Sequence, residues 1–343
     1  MSDRSLAPVA EPWPPTEEVA GVVEAVASSA GHAVSDLSVE LAPGEWGGRA
    51  YACTLTTGDP VWDQPLIARA AGPGDALHGA AAGGEAAWHA HLASHGVAVP
   101  PIVAVSEGDG LAATVMQRTH EHSLIEVISA NPTDAAALLA RAGEVHVAIH
   151  AVPTEGAPAG LGPSDVVAAS AEPAQRFDLA AEHSWLAEHR PPSSVDPVVC
   201  HGNLQPSQLR LDPAEPEHAV VTTWTQVTVD ARERDVAQTS LALWSIPYVA
   251  KRRSERMMLK MFRDTLVANY RDGYAAEAGV DLDAALLAWW RAAHVLDWSI
   301  RLARSQQAAE PDPWDPVHLV AKPQSFAKDL RGHFWELTRE AGG

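Results

Sequence analysis

The sequence predicts an α+β fold in two parts: a small strand-rich part, residues 1–118, and a larger, mainly helical part, residues 119–343. Three observations carry that expectation. From residue 36 to 55 apolar and polar residues alternate, which is the period of half-buried strands, and three further short stretches, 65–69, 102–105 and 112–116, read as strands. One stretch of helical spacing interrupts these strands after the third. Beyond residue 118 the apolar residues recur mainly every three or four positions, as in helices packed on one face.

Each element follows in order. Pro14-Pro15-Thr16 ends an extended tail and offers Thr16 as a helix N-cap. Val19, Val22, Val23 and Val26 then recur at helical spacing. Leu37, Val39 and Leu41 alternate with polar neighbours, as do Tyr51, Cys53 and Leu55. Thr57-Gly58-Asp59-Pro60 makes a turn, and 65–69 reads as the third strand. A helix is expected over 83–94, stopped by Gly96, with strands near 102–105 and 112–116.

In the second part, helices are expected over 135–150, 178–189 and 282–306. The last carries Leu286, Trp289, Trp290, Ala293, Leu296 and Ile300 on one face. Two short apolar runs, 198–200 and 219–221, are expected to pair as a hairpin, with Asp212, Glu215 and Glu217 solvated in its turn.

Composition narrows the function. Hydrophobic residues make up 46% of the chain, enough for a core in each part. The net charge of −20 argues against nucleic acid and anionic membrane as partners, since both need clustered Lys and Arg. It suits a cationic small molecule. Two cysteines, Cys53 and Cys200, are too few for a disulfide framework and point to a reducing compartment. The N-terminal stretch has no basic start followed by an apolar block, so a cytoplasmic location is expected.

The chemistry concentrates in HGNLQPSQL at 201–209 and TTWTQVTVDARERDVAQ at 222–238. The first resembles the HGDxxxxN loop of the aminoglycoside phosphotransferase superfamily. The second resembles that superfamily's next signature, a strand ending in Asp-Trp or Asp-Phe followed by an Asp-Leu-Ala-like helix start. The Trp-Thr-Gln variant is most similar to the macrolide phosphotransferase branch. Upstream, GEWGGRAYACTL at 44–55 sits where the family has its nucleotide loop, and PLIARA at 65–70 matches the strand bearing a phosphate-contacting basic residue. GGEAAWHAHLASHGVAVPPIVAV at 83–105 matches the helix with its partner Glu. LAATVMQRT at 111–119 matches the strand entering the hinge, and RAGEVHVAIHAVP at 141–153 matches a helix ending in Leu-His.

The resemblance implies a protein-kinase-like two-lobe fold and transfer of a γ-phosphoryl group from ATP or GTP, with Mg²⁺, to a small-molecule hydroxyl. It assigns Arg69, Glu85, Gly47, Gly48 and Met116 to the nucleotide. Asn203 falls at the position of the catalytic Asp, Gln208 and Thr223 at the metal positions. His201 and Asp235 fall where the family holds its loop in shape.

Three of these positions depart from the pattern. Asn203 orients a hydroxyl but does not accept its proton, and loss of a general base costs ~10²–10⁴-fold in rate. Gln208 keeps an amide oxygen one methylene further out. Thr223 offers no carboxylate, which Mg²⁺ normally takes. The primary expectation is therefore a pseudokinase that acts as a ligand-binding or regulatory protein. The alternatives are an active phosphotransferase with a displaced metal site, for which Asp230 is the nearest acid, and a scaffold with a plugged cleft.

Other readings stay open beside these. Arg69 and Glu85 position a nucleotide or simply tie helix to sheet. Gly44, Gly47 and Gly48 form a phosphate loop or a plain turn. His89, His91 and His95, the last two at i and i+4, form a metal-type cluster or are ordinary helix residues. Trp289, Trp290 and Trp298 are core or the wall of an acceptor pocket.

Overall fold

The computed structural model describes residues 14–42, 50–71, 82–107, 111–120, 122–162, 165–192, 196–212, 214–249, 253–307, 320 and 322–341. Gly44, Gly47 and Gly48 lie outside the described residues.

The N-lobe opens with α1 (Thr16–Ser29). Its N-cap is Pro15, and Thr16 is the first helical residue rather than the cap. The Thr16 hydroxyl turns to the Glu17 carboxylate instead of the helix amides. Strands β1 (Asp36–Leu41), β2 (Ala50–Thr56), β3 (Leu66–Ala71), β4 (Ile102–Ser106) and β5 (Ala112–Gln117) form an antiparallel sheet in the order β1-β2-β3-β5-β4. Helix α2 (Ala82–Ser94) lies between β3 and β4 in sequence.

Alternation gives the sheet two distinct faces. Tyr51, Cys53, Leu55, Leu66, Ala68, Ala70, Ala113 and Val115 join Val19, Val23 and Ala27 of α1 in one core. The opposite face carries Ile67, Met116 and Ala50 in a small apolar cluster, with Arg69 two residues beyond Ile67.

A two-residue strand β6 (His122–Ser123) leads into the C-lobe. Ser123 then starts α3 (Leu124–Ala130) with a capping box closed by Glu126. The chain continues through α4 (Ala135–His150), α5 (Val166–Arg176) and α6 (Ala180–Glu188). Two small ribbons follow, built from β7 (Val198–Cys200), β8 (Leu209–Asp212), β9 (Glu215–Val221) and β10 (Thr228–Asp230). Then come α7 (Arg232–Val249), α8 (Arg253–Ala278), α9 (Ala284–Gln307) and α10 (Pro323–Ala341).

The expected pairing of 198–200 with 219–221 is wrong. β7 pairs with β10, and β8 pairs with β9. A three-residue run that is apolar throughout has no alternation to specify its partner. The turn of the actual hairpin lies between Asp212 and Glu215, both exposed, while Glu217 falls within β9.

One large core fills the C-lobe and reaches up into α2. Trp88 and Leu92 of α2 are fully buried in it with Leu139, Trp224, Tyr270 and Phe334. Trp289, Trp290 and Trp298 are buried there too, so they are core residues. Helices α4 and α8 cross closely. A Cβ on Gly143 would meet the Tyr274 backbone nitrogen at 2.4 Å, and one on Gly273 would meet Ala140 Cα at 2.4 Å. Among the described residues no helix is long and apolar enough to cross a membrane.

Candidate functional site

Arg69 and Glu85 are brought together in a buried gap. β3 directs Arg69 away from the face that α1 covers, and Glu85 sits in the first turn of α2. Arg69 Nη1 pairs with Glu85 Oε1, the side chains being 5% and 3% exposed. The same oxygen accepts the backbone N–H of Trp224 at 3.0 Å. One carboxylate thus joins the sheet, α2 and the segment after β9. Arg69 Nε has no hydrogen-bond partner among the described residues. A buried guanidinium N–H without an acceptor is costly, and an anion arriving there would satisfy it. Met116 is fully buried and is the cross-strand partner of Ile67, on the same face as Arg69.

The loop after β7 is held from behind by Asp235, in the first turn of α7. Its carboxylate accepts the His201 N–H at 2.5 Å and the Gly202 N–H at 2.7 Å. Gly202 has φ +80°, and a Cβ there would lie 2.0 Å from the Gln226 carbonyl oxygen. Only glycine fits both demands. The His201 ring lies 4.5 Å from the Trp224 ring. Its Nε2 donates to the Thr222 carbonyl at 3.1 Å, and its Nδ1 accepts the Asn203 N–H at 3.2 Å. Burial pushes the His201 pKa down to about 4, so the ring is neutral and fixed in this tautomer.

Behind Asp235 stand two histidines of α4, and behind them two tyrosines of α8. His146 Nδ1 meets the Tyr270 hydroxyl, and His150 Nδ1 lies 2.8 Å from the Tyr274 hydroxyl. Burial lowers the His150 pKa. Burial alone would raise that of Asp235, but the imidazoles of His146 and His150 hold it well below the usual carboxylate range. His146, Tyr270 and Tyr274 did not emerge from the sequence reading. Their signal was there, in matched i,i+4 pairs on two helices, but nothing in sequence ties those helices together.

The three substituted positions have settled into protein contacts. Asn203 Oδ1 accepts from Gln205 Nε2 and Gln238 Nε2, each at 3.0 Å. Gln208 is buried, and its Oε1 caps the Gln205 N–H at 3.1 Å. Its amide oxygen therefore serves the loop backbone rather than reaching out toward a cation. Thr223 has φ +71°. That left-handed conformation suits Gly, Asn or Asp and strains a β-branched residue by ~1–3 kcal/mol.

Magnesium does not fit this donor set. It needs carboxylate or phosphate oxygens, and residues 203, 208 and 223 supply two amides and a hydroxyl. Asp230 does not replace them. Its Oδ2 pairs with Arg234 at 2.8 Å and its Oδ1 accepts the Ala231 N–H at 2.7 Å. His91 and His95 gather no third metal-type ligand among the described residues. His91 Nε2 lies 3.2 Å from the Pro153 carbonyl, and His95 Nδ1 lies 2.8 Å from the His91 carbonyl.

Similar folds are found among solved structures. The chain resembles an aminoglycoside-3'-phosphotransferase of type VIII (19% identity, TM-score 0.56, covering 75% of this chain and 93% of that one). It also resembles the aminoglycoside phosphotransferase APH(3'')-Id of Streptomyces rimosus in complex with ADP and streptomycin (14% identity, TM-score 0.51, 75% and 94% covered). A third is APH(2")-IIa in a ternary complex with streptomycin and ATP (9% identity, TM-score 0.51, 92% and 97% covered). At these identities the likeness concerns the fold. No curated protein matches at the level of sequence. A model of the phosphotransferase enzyme family, however, matches residues 38–286. That span takes in Arg69, Glu85, the 201–209 loop and Asp235, and it exceeds half of the chain: the protein belongs to the phosphotransferase enzyme family.

Proposed function

We propose that this family member has lost, or nearly lost, phosphoryl transfer and works as a pseudokinase, a ligand-binding or regulatory protein. One observation carries the reading. At the three positions that would handle the acceptor proton and the metal there is no carboxylate, and Asn203 and Gln208 turn their oxygens to neighbouring amides. The nucleotide side of the cleft supports retained binding. Arg69, Glu85 and Trp224 stay connected, and Arg69 Nε awaits an acceptor. ATP or GTP is the nucleotide class we assign, with Arg69, Glu85 and Met116 at its site, Gly47 and Gly48, which lie outside the described residues, assigned to it by the resemblance, and Mg²⁺ dispensable. The second ligand is a hydroxyl-bearing or cationic small molecule, in keeping with the streptomycin held by the similar folds. We assign residues 1–118 to the nucleotide lobe and 119–343 to the acceptor lobe. Cys53 and Cys200 are free thiols, which supports a cytoplasmic setting.

The test is nucleotide binding by calorimetry with and without Mg²⁺, alongside phosphoryl transfer and hydrolysis assays with Mg²⁺ or Mn²⁺. Metal-independent binding without turnover is the expected result. Turnover in the ordinary enzyme range, abolished by Asn203→Ala, would favour the active-enzyme reading instead. The pairing of Asp230 with Arg234 weighs against that reading.

A further inference from the structure

We propose that His146, His150 and Asp235 bind a first-row divalent metal ion, zinc by preference, in a buried site behind the 201–203 loop. The two imidazoles come from one face of α4 at i and i+4, and the carboxylate comes from the first turn of α7. Their ligand atoms lie within 4.8 Å of one another. His146 Nε2 is 3.3 Å and His150 Nε2 is 3.4 Å from the same oxygen, Asp235 Oδ2.

The His150 contact is a hydrogen bond, and both spacings lie beyond the usual N–H···O range of about 2.7–3.2 Å. They match two donors on a tetrahedral ion. With Zn–N and Zn–O near 2.0–2.2 Å, neighbouring ligand atoms stand about 3.3–3.5 Å apart. His146 Nε2 is fully buried and makes no hydrogen bond of acceptable geometry among the described residues. That ring nitrogen faces a carboxylate and a second imidazole, where a metal ion would satisfy it.

The surroundings are those of a metal centre. Each histidine has its other nitrogen, Nδ1, against a tyrosine hydroxyl, which fixes the ring and leaves Nε2 for the metal. Asp235 Oδ1 stays with the Gly202 N–H, while Oδ2 accepts the His201 N–H at 2.5 Å, so an ion on Oδ2 would share that oxygen with the loop backbone. Two imidazoles and one carboxylate suit zinc and its neighbours, whereas Mg²⁺ and Ca²⁺ want oxygen donors alone. Three protein ligands leave the fourth position to a water molecule. The ion would cross-link α4, α7 and the loop, whether or not the cleft transfers phosphate.

The experiment measures metal in the full chain, expressed in minimal medium supplemented with Zn²⁺ or with Co²⁺ and dialysed against EDTA. About one equivalent of metal should remain per chain, and the cobalt form should show the visible bands of a four-coordinate ion. His146→Leu and His150→Leu should lose the metal, while His91→Leu keeps it. Less than a tenth of an equivalent from both media overturns the proposal, as does undiminished metal in His146→Leu. If the leucine variants fail to fold, X-ray absorption at the zinc edge of the wild-type protein decides. Two imidazoles in the first shell support the site, and a sulfur shell or none overturns it. Metal content is independent of nucleotide binding, so failure here leaves the pseudokinase reading untouched.

Discussion

Glu85 Oε1 holds two partners at once, the Arg69 guanidinium and the backbone N–H of Trp224 at 3.0 Å. Trp224 directly follows Thr223, so a residue of α2 fixes the backbone next to the position that the sequence resemblance matches to a metal ligand. Replacing Glu85 by Ala leaves a buried, uncompensated Arg69 and an amide without an acceptor. The expected cost is about 3–5 kcal/mol in urea unfolding. An Arg69→Met, Glu85→Leu double variant should recover the part due to the stranded Arg69 charge, but not the part due to the Trp224 N–H, which stays without an acceptor. Equal instability of the single and double variants would contradict this account of the pair.

The strained backbone at Thr223 makes an unusual prediction. Thr223→Asn should stabilise the protein by about 1 kcal/mol, because Asn accepts a φ near +71° with less strain. A combined Asn203→Asp, Gln208→Asn, Thr223→Asp variant should gain Mg²⁺-dependent nucleotide binding that the parent lacks. Calorimetry with and without the metal reads this directly.

Acid should destabilise the fold through neutral histidines. Burial, helped by the Arg234 charge, pushes the His294 pKa down to about 4. Burial, with the Arg291 charge, pushes that of His333 to about 3. Both start from an ordinary value of 6.5. Between those limits the unfolded chain binds more protons than the folded one. Stability is therefore fully present above pH 6.5 and is lost as pH falls toward 4 and then 3, by about 1.4 kcal/mol per pH unit for each group. In His333→Phe the melting temperature should depend less steeply on pH across this window.

The crossing of α4 and α8 should tolerate no side chain. Gly143→Ala brings a Cβ to 2.4 Å from the Tyr274 backbone nitrogen, and backbone does not yield as a side-chain tip would. A loss of about 1–3 kcal/mol is expected, with the tyrosines drawn away from His146 and His150. Tyrosine fluorescence and thermal melting would report both effects.

The N-lobe was largely legible because its residues alternate. Tyr51, Cys53 and Leu55 declared their face, and the same alternation sent Arg69 to the other. Helix α4 was legible from its spacing and its flanking turns. The β7 and β9 runs were not, since three apolar residues in a row look alike from either partner. Nor could sequence disclose that Gln208 caps Gln205, because the longer side chain is equally able to reach outward. The His146–Tyr270 contact spans 124 positions and depends on how two helices cross, which local pattern does not encode. The absence of carboxylates at 203, 208 and 223 was visible at once, whereas the strain at Thr223 needed coordinates.

Trp88 belongs by sequence to the N-terminal lobe, yet its indole is sealed in the core of the other one and donates to the Ala159 carbonyl at 2.9 Å. Withdrawing it would cost on the order of 4–6 kcal/mol in apolar exposure. If α2 stays with that core, any shift of β3 against it would have to break the Arg69–Glu85 pair.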